Sequence, residues 1–328
     1  MKVSIIIPIY NVSPYIERCL QSALNQTYKE IEYVCVNDGS TDDSFEKAKK
    51  IIASNSREDQ VVLVEHKKNE GIAITRNTGI EHSTGEYIYF LDSDDELPLN
   101  AIEILVAAND GIAADIVLGD FDITGGRREE YVKIKKSDTI IGKEKILNSF
   151  LSLQWYDGTC NKMVKRSFLE ENGISFRRGI IHEDILWSFE IAMYASCLIF
   201  LNRKTYIYHI RPNSITQKVS DKNFRSLLFV MKEMVELSTK NNLYSSQSEL
   251  FNYFSNIKIY FLKELVRSKA SVEYIKKSRT EVNHIFSNKI FNSLGNYSFA
   301  SILKILPYKL PIHLSILYIK VILCLKRG

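Results

Sequence analysis

The sequence predicts an α/β fold: a mostly parallel sheet with helices on both faces, followed by a mainly helical C-terminal region. Two observations carry the first part. Through about residue 120, strand-length apolar runs alternate with segments of helical period. Those runs are apolar at consecutive positions, as strands covered on both faces must be. A third observation carries the second part: after about residue 220 the apolar spacing is helical, with no strand pattern.

Taken in order, VSIIIPI (3–9) is a β-branched run of strand length. Ser13-Pro14 then offers an N-cap and a first-turn proline to a helix carrying Ile16, Leu20, Ala23 and Leu24 on one face. IEYVCVN (31–37) is the next strand, and Asp42 or Asp43 opens a helix through Ile52. VVLVE (61–65) is a third strand and residues 72–82 a helix. YIYFL (87–91) is a fourth strand, and a helix from about Asn100 to Ala108 precedes IVLGDF (116–121). Farther on, GGRREE (125–130) reads as a loop, 143–153 and 183–195 as helices, and CLIF (197–200) and TYIYHI (205–210) as strands.

At 328 residues, 45% hydrophobic and 25% charged, the chain has an ordinary globular composition and room for one large domain or two smaller ones. Five scattered cysteines without a CxxC pair argue against a disulfide framework or a zinc site, and for a reducing compartment. MKVSIIIPIY turns polar too soon for a signal peptide. The net charge of +4 hides a split. Residues 201–328 carry 21 Lys and Arg against 7 Asp and Glu, a balance of +14, which leaves −10 for residues 1–200. An acidic front and a basic back suit different partners, unless the lysine-rich helices simply solvate themselves.

The tail LPIHLSILYIKVILCLKRG (310–328) is apolar on nearly all sides, but His313, Ser315 and Lys320 interrupt it short of a bilayer span. Lys304, Lys309, Lys320, Lys326 and Arg327 surround it. It reads either as an in-plane membrane helix or as a helix packed on the protein's own core.

In parallel α/β sheets ligands bind beyond the carboxyl ends of the strands. There the fourth strand runs into Asp92, Ser93, Asp94, Asp95 and Glu96. Burying an unpaired carboxylate costs several kcal/mol, so the cluster calls for a cation. An EF-hand loop fails, because Leu97 stands where glycine is needed and Pro98 follows. Zinc fails for want of neighbouring His or Cys. Mg²⁺ or Mn²⁺ held by one or two carboxylates, with a ligand's phosphates completing the shell, fits. The bland alternative is an acidic turn that caps the next helix, a role that suits Asp95 and Glu96. No GxGxxG and no GxxxxGK[ST] is present. Instead the strand ends carry PIYN (8–11) and VNDGSTDD (36–43), in which Asp38 can accept from a base N–H and Gly39-Ser40 lets backbone approach a ligand.

SIIIPIYN, VNDGSTDDS, NEGIAITRNTGI, GEYIYFLDSDD and HEDILW, in that order and spacing from residue 1 to about 215, resemble the family 2 glycosyltransferases of GT-A fold. The resemblance implies a catalytic domain over 1–218; the helical spacing and the charge balance, not the resemblance, mark 219–328 as a helical, basic region. It implies that Pro8, Tyr10 and Asp38 line the uracil pocket of a UDP-sugar, and that Arg76 lies near base and phosphates. Asp92, beside Ser93, would meet ribose or metal, and Asp94 would hold the Mn²⁺ or Mg²⁺ that bridges the diphosphate. Asp184 would be the base of an inverting transfer, kept ionised by the helix N-terminus, with Glu183 orienting the acceptor or supporting the base. In YIYHIRPNSI, Arg211 and Ser214 would contact phosphate, and His209 would be a further metal ligand where the family more often has arginine. Trp155 and Tyr156, with Asn161 and Lys162, lie where the acceptor site is expected, the aromatic pair as a platform or as core.

The implied reaction moves one sugar from a UDP-sugar to a saccharide, forming a β-linkage. The implied acceptor is a lipid-linked or oligosaccharide chain of O-antigen, lipopolysaccharide or capsule type. The basic tail motivates a peripheral position on the inner face of the cytoplasmic membrane. A sugar nucleotidyltransferase of similar fold would need a Gly- and Arg-rich N-terminus, and a non-catalytic nucleotide-binding module would not need Asp184. A processive synthase would add long apolar spans and a QxxRW motif, and a nucleic-acid protein would pair its charge with a recognisable motif.

Overall fold

The four apolar runs at the front of the chain form four strands: β1 (Val3–Ile9), β2 (Ile31–Asn37), β3 (Val61–Glu65) and β4 (Tyr87–Phe90). The computed structural model describes residues 1–125, 134, 136–210, 220–287 and 299–325. Every residue of β1, β2 and β4 is buried, which is why these runs lack alternation. Fully buried side chains such as Ile5, Ile7 and Val34 each contribute about 2 kcal/mol of transfer free energy. Helices α1 (Ile16–Leu24), α2 (Ser44–Ala53), α3 (Ile72–Glu81) and α4 (Ala101–Asn109) follow the strands in turn.

The rest of the sheet comes from β5 (Ile116–Thr124), β6 (Asp138–Ile141), β7 (Lys162–Lys165) and β8 (Cys197–His209), interleaved with α5 (Lys143–Leu151), α6 (Arg166–Glu171) and α7 (Glu183–Tyr194). Among the described residues the eight strands run in the order β3-β2-β1-β4-β7-β5-β8-β6. The pairs β1–β2, β1–β4, β2–β3 and β5–β8 are parallel, whereas β7 is antiparallel to both β4 and β5, and β6 is antiparallel to β8. Helices cover both sides, so the α/β expectation stands, with a mixed sheet.

Several local expectations change. CLIF and TYIYHI are one strand, because the long β5 gives both a partner and an irregularity beside Gly119–Phe121 absorbs the polar residues between them. KMVK, too short and too charged to show a strand pattern, becomes β7 in the middle of the sheet. Ser13 does not cap α1. Tyr15 holds the N-cap position without a side-chain bond, and the Ser13 hydroxyl instead accepts from Lys47 Nζ at 2.7 Å.

Two glycines place α3. Gly79 faces β1 so closely that a Cβ would stand 2.3 Å from Ile6 Cγ2. Gly39 sits at φ +64° against the backbone of Lys68, closing the turn that follows β2.

The chain divides into two compact units. The first comprises Met1–Ile146, Leu153–Gly179 and Glu183–Pro212, and the second Leu147–Ser152, Ile180–His182 and Asn213–Gly328. The second unit contains α8 (Asp221–Lys240), α9 (Gln247–Arg267), α10 (Val272–Ile285), α11 (Phe299–Ile305) and α12 (Ile312–Leu325). Its aromatic core includes Phe224 edge-on to Phe261 at 5.8 Å and Phe254 against Phe286 at 5.0 Å. Ser220 and Ser271 cap α8 and α10, each accepting from a backbone N–H three residues on. No described helix is long and apolar enough to cross a membrane.

Candidate active site

Adjacent strand ends of the first unit carry the predicted residues. Pro8 is buried in β1 opposite Val36 of β2, and Tyr10, just beyond β1, is 41% exposed. Asn11, at φ +50°, accepts from the backbone N–H of Thr41 at 2.8 Å, tying the end of β1 to the turn after β2. Asp38 is anchored by Asp38 N to Ile9 O at 2.8 Å, and its carboxylate is heavily engaged. Oδ1 accepts from His66 Nδ1 at 2.8 Å and Glu70 N at 2.9 Å, and Oδ2 accepts from Gly71 N at 2.9 Å. These bonds pin the segment that leads into α3. A carboxylate offers about four acceptor positions, and Asp38, only 2% exposed, has three of them filled by these bonds. His66 Nε2 lies 3.0 Å from the Thr78 hydroxyl, extending the chain of bonds onto α3 itself.

Helix α3 delivers Arg76 to the acidic stretch. The guanidinium is buried, and it bridges two motifs that are distant in sequence: Nη2 lies 3.1 Å from Asp92 Oδ1, and Nη1 lies 2.7 Å from Glu183 Oε1. Its carbon sits 5.4 Å from the centre of the Phe176 ring, which stacks on Trp187 of α7 at 5.1 Å and 13°. Burial opposes the charge on Arg76, but Asp92, Glu183 and Asp184 outweigh it and hold the group above its ordinary pKa. Arg76 Nε is buried without a hydrogen-bond partner among the described residues.

The carboxylates after β4 therefore have protein cations beside them. Arg18 donates to the carbonyl of Asp94 and lies 3.8 Å from Glu96. Asp95 is buried. It accepts from the Tyr206 hydroxyl and from His209 N, each at 2.8 Å. Burial first, then the charges of Asp92 and Asp94, push Asp95 up to about 8. The cap role expected of Asp95 and Glu96 is replaced by a tie to β8: Glu96 forms an antiparallel bridge with Ile207. His209 Nε2 lies 2.6 Å from Glu96 Oε1, and Nδ1 lies 2.6 Å from the Thr124 hydroxyl. Both ring nitrogens are engaged within the protein, so His209 would have to exchange a partner to ligate a metal.

Among the described residues no three His, Cys, Asp or Glu side chains are arranged to hold a metal ion. The set still suits Mg²⁺ or Mn²⁺, which need only one or two carboxylates when a diphosphate supplies the rest. Asp92, 30% exposed, and the half-buried Asp94 stand together, and the raised Asp95 registers their negative field. Ser93 between them is buried.

Glu183 and Asp184 open α7. Asp184 Oδ1 accepts from Ile185 N at 2.9 Å, yet burial, Glu183 and Asp157 push its carboxyl up to about 8. The expectation that the helix N-terminus keeps it ionised is thus corrected: burial and two nearby carboxylates outweigh the dipole and the opposing charge of Arg76.

The aromatic platform is also corrected. Trp155 is fully buried, and Tyr156 is buried with its hydroxyl donating to Asn161 O at 2.7 Å, so neither ring presents an open face to a sugar. Lys162 is fully buried too, 3.9 Å from the centre of the Tyr156 ring and bonded to Gly158 O, and desolvation pulls it down to about 7. These side chains build the floor of β7 rather than an acceptor surface. Arg211 and Ser214 lie outside the described residues.

The sequence does not single out Tyr206, which donates to Asp95 and accepts from Asp92 N at 3.1 Å. Asn161, expected beside the acceptor, is instead fully buried, its amide binding Gly119 O and accepting from Thr205. The alternation in TYIYHI, which sets Tyr206 and Tyr208 on one face, is the available signal for Tyr206.

The sequence profile described as glycosyl transferase family 2 matches residues 4–173, a stretch that ends before α7. The glycosyltransferase GlyA of Streptococcus pneumoniae serotype 4 is 30% identical over 250 residues, covering 72% of this chain and 34% of GlyA, so the chain spans about a third of that relative. Among solved structures, S. aureus TarS 1–349 with UDP-GlcNAc superposes with a TM-score of 0.64 at 18% identity, over 89% of this chain and 91% of that one. A Pyrobaculum calidifontis mannosyltransferase, PcManGT, with GDP-Man and Mn²⁺ gives 0.53 at 18% identity, over 98% and 86%. At these identities the structures attest the fold alone.

Proposed function

Because the chain belongs to glycosyltransferase family 2, we propose that it transfers one sugar, with inversion, from a UDP-sugar to a saccharide acceptor at the carboxyl edge of its sheet. The observation that carries this reading is the Arg76 bridge: one guanidinium joins the acidic stretch after β4 to the acidic start of α7. Donor-binding and proton-accepting carboxylates must face one another across a small space, and this bridge supports that arrangement. Related folds with UDP-GlcNAc and GDP-Man bound support a nucleotide-sugar donor.

In this reading Tyr10, Pro8 and Asp38 take the base, and Asp92 the ribose. Asp94, with Asp92, would hold Mn²⁺ or Mg²⁺. When bound, that ion supplies Lewis-acid stabilisation of the charge developing on the departing diphosphate. Asp184 takes the proton of the acceptor hydroxyl. That oxygen bonds to the anomeric carbon from the face opposite the diphosphate, and the bonding pair of the broken C–O bond leaves on UDP. A raised pKa makes Asp184 a stronger base once deprotonated. Glu183, held by Arg76, keeps the start of α7 in place and so supports Asp184 or orients the acceptor. The first unit is the catalytic part. An acceptor on a lipid-linked glycan of surface polysaccharide type, with the protein peripheral on the cytoplasmic face of the membrane, completes the proposal and fits the basic C-terminal region.

The test is a panel of UDP- and GDP-sugars, with UDP or GDP release followed for the full chain and for Asp184→Asn. One UDP-sugar should be turned over, and the variant should fall by at least about a hundredfold. Turnover of no nucleotide sugar, or equal rates in the variant, would overturn the assignment.

A further inference from the structure

Helix α12 is apolar on nearly all sides, and part of that apolar surface faces outward. Its exposed positions include Leu314 (52%), Leu317 (57%) and Val321 (51%), with Cys324 beyond them. At 100° per residue these four fall within about 80° of arc, a single outward stripe. His313 and Lys320 are exposed along one flank of it. The neighbouring α11 repeats the pattern with Phe299 (75%), Ile302 (45%) and Leu303 (38%). The two helices are linked, since the Tyr318 hydroxyl donates to Leu303 O at 3.1 Å. Single exposed apolar residues need no explanation, but two adjacent helices presenting their apolar sides to water do.

Charge selects the occupant. Residues 282–328 contain no Asp or Glu and six Lys or Arg, among them Lys304, Lys309 and Lys320. A second copy docking on this face would set like charges against one another. A layer of anionic headgroups would meet the lysines while the acyl boundary takes the apolar stripe. Lys320 sits on α12 among its apolar residues, beside the outward stripe, an arrangement that suits a helix lying in the plane of a bilayer.

We propose that the outward face of α11 and α12, centred on Leu314, Leu317 and Val321, docks the protein on an anionic lipid surface. Such docking deepens the membrane position proposed above and rests on it; because the docking face belongs to the second unit, vesicle binding and sugar transfer can fail separately. Through it the chain would hold itself beside substrates that cannot leave the membrane.

The test is cosedimentation of the full chain with vesicles of phosphatidylcholine alone and with phosphatidylglycerol added. The wild type should bind the anionic vesicles and release them as salt rises from about 0.1 M to about 0.5 M. Leu314→Glu/Leu317→Glu/Val321→Glu should bind at least about tenfold more weakly. The milder Leu314→Ser/Leu317→Ser guards against misfolding, with circular dichroism as the fold control, and should weaken binding in the same direction. Lys304→Gln/Lys309→Gln/Lys320→Gln should lose the preference for phosphatidylglycerol. No vesicle binding by the wild type, or equal binding by folded variants, would overturn the proposal. So would a wild-type dimer that the serine variant converts to monomer, or duplex DNA binding that depends on this face.

Discussion

Arg76 Nη1 donates to Glu183 Oε1 at 2.7 Å while its Nη2 donates to Asp92 Oδ1 at 3.1 Å, so one buried side chain balances carboxylates from two distant segments. From the sequence alone the acidic stretch calls for a positive partner, and a metal is the candidate. The protein supplies one itself, and a bound cation would add to Arg76 and Arg18 rather than stand alone.

Removing one member of a buried pair leaves the other charge without compensation. Arg76→Ala should therefore cost about 3 kcal/mol in urea unfolding, and adding Glu183→Gln should recover part of it. Arg76→Lys cannot reach both carboxylates as a fork, and should recover less than half.

Asp184 sets a pH dependence. Its carboxyl is pushed up to about 8 in the fold, from an ordinary value near 3.8, so the native state binds the extra proton between those limits. Stability from this group is present below about pH 4 and is lost as pH rises through 8. As a base it must be deprotonated, so kcat/KM should climb with pH toward a plateau above about 8. Asp184→Asn should abolish the reaction yet gain roughly 1 kcal/mol of stability, measured by denaturant titration at pH 8.

Glu32 has the opposite sign. Buried in β2, it accepts from Ser4 Oγ at 2.6 Å, Thr84 N at 2.7 Å and Lys2 Nζ at 2.9 Å, and these bonds outweigh desolvation and lower its carboxyl to about 2. Its contribution is present above about pH 4.5 and lost as pH falls through 2. Glu32→Gln should cost about 2 kcal/mol at pH 7 and almost nothing near pH 2, read from unfolding curves at the two values.

Gly79 lets α3 lie on β1, and a methyl there meets Ile6. Gly79→Ala should destabilise by about 2 kcal/mol, and pairing it with Ile6→Ala should relieve most of the clash. Because α3 carries Arg76, the single variant should also weaken nucleotide binding.

The first four strands and their helices were legible because burial on both faces leaves uninterrupted apolar runs such as VSIIIPI and IEYVCVN. β7 was not, since its lysines read as polar whether Nζ is solvated or, as for Lys162, folded over Tyr156. The acidic residues could be named from the sequence, but not their partners. Arg76 meets Glu183, and Asp95 meets Tyr206, only through tertiary placement of α3 and β8. The same limit leaves platform and core equally open at Trp155, because a buried ring is indistinguishable in sequence from an exposed one.

The most direct test of the nucleotide-sugar site is calorimetry of UDP binding, with and without Mn²⁺, on the wild type and on Asp94→Ala. The account predicts binding that requires the metal and falls at least about tenfold in the variant. Binding that ignores Mn²⁺ and is equal in Asp94→Ala would contradict it.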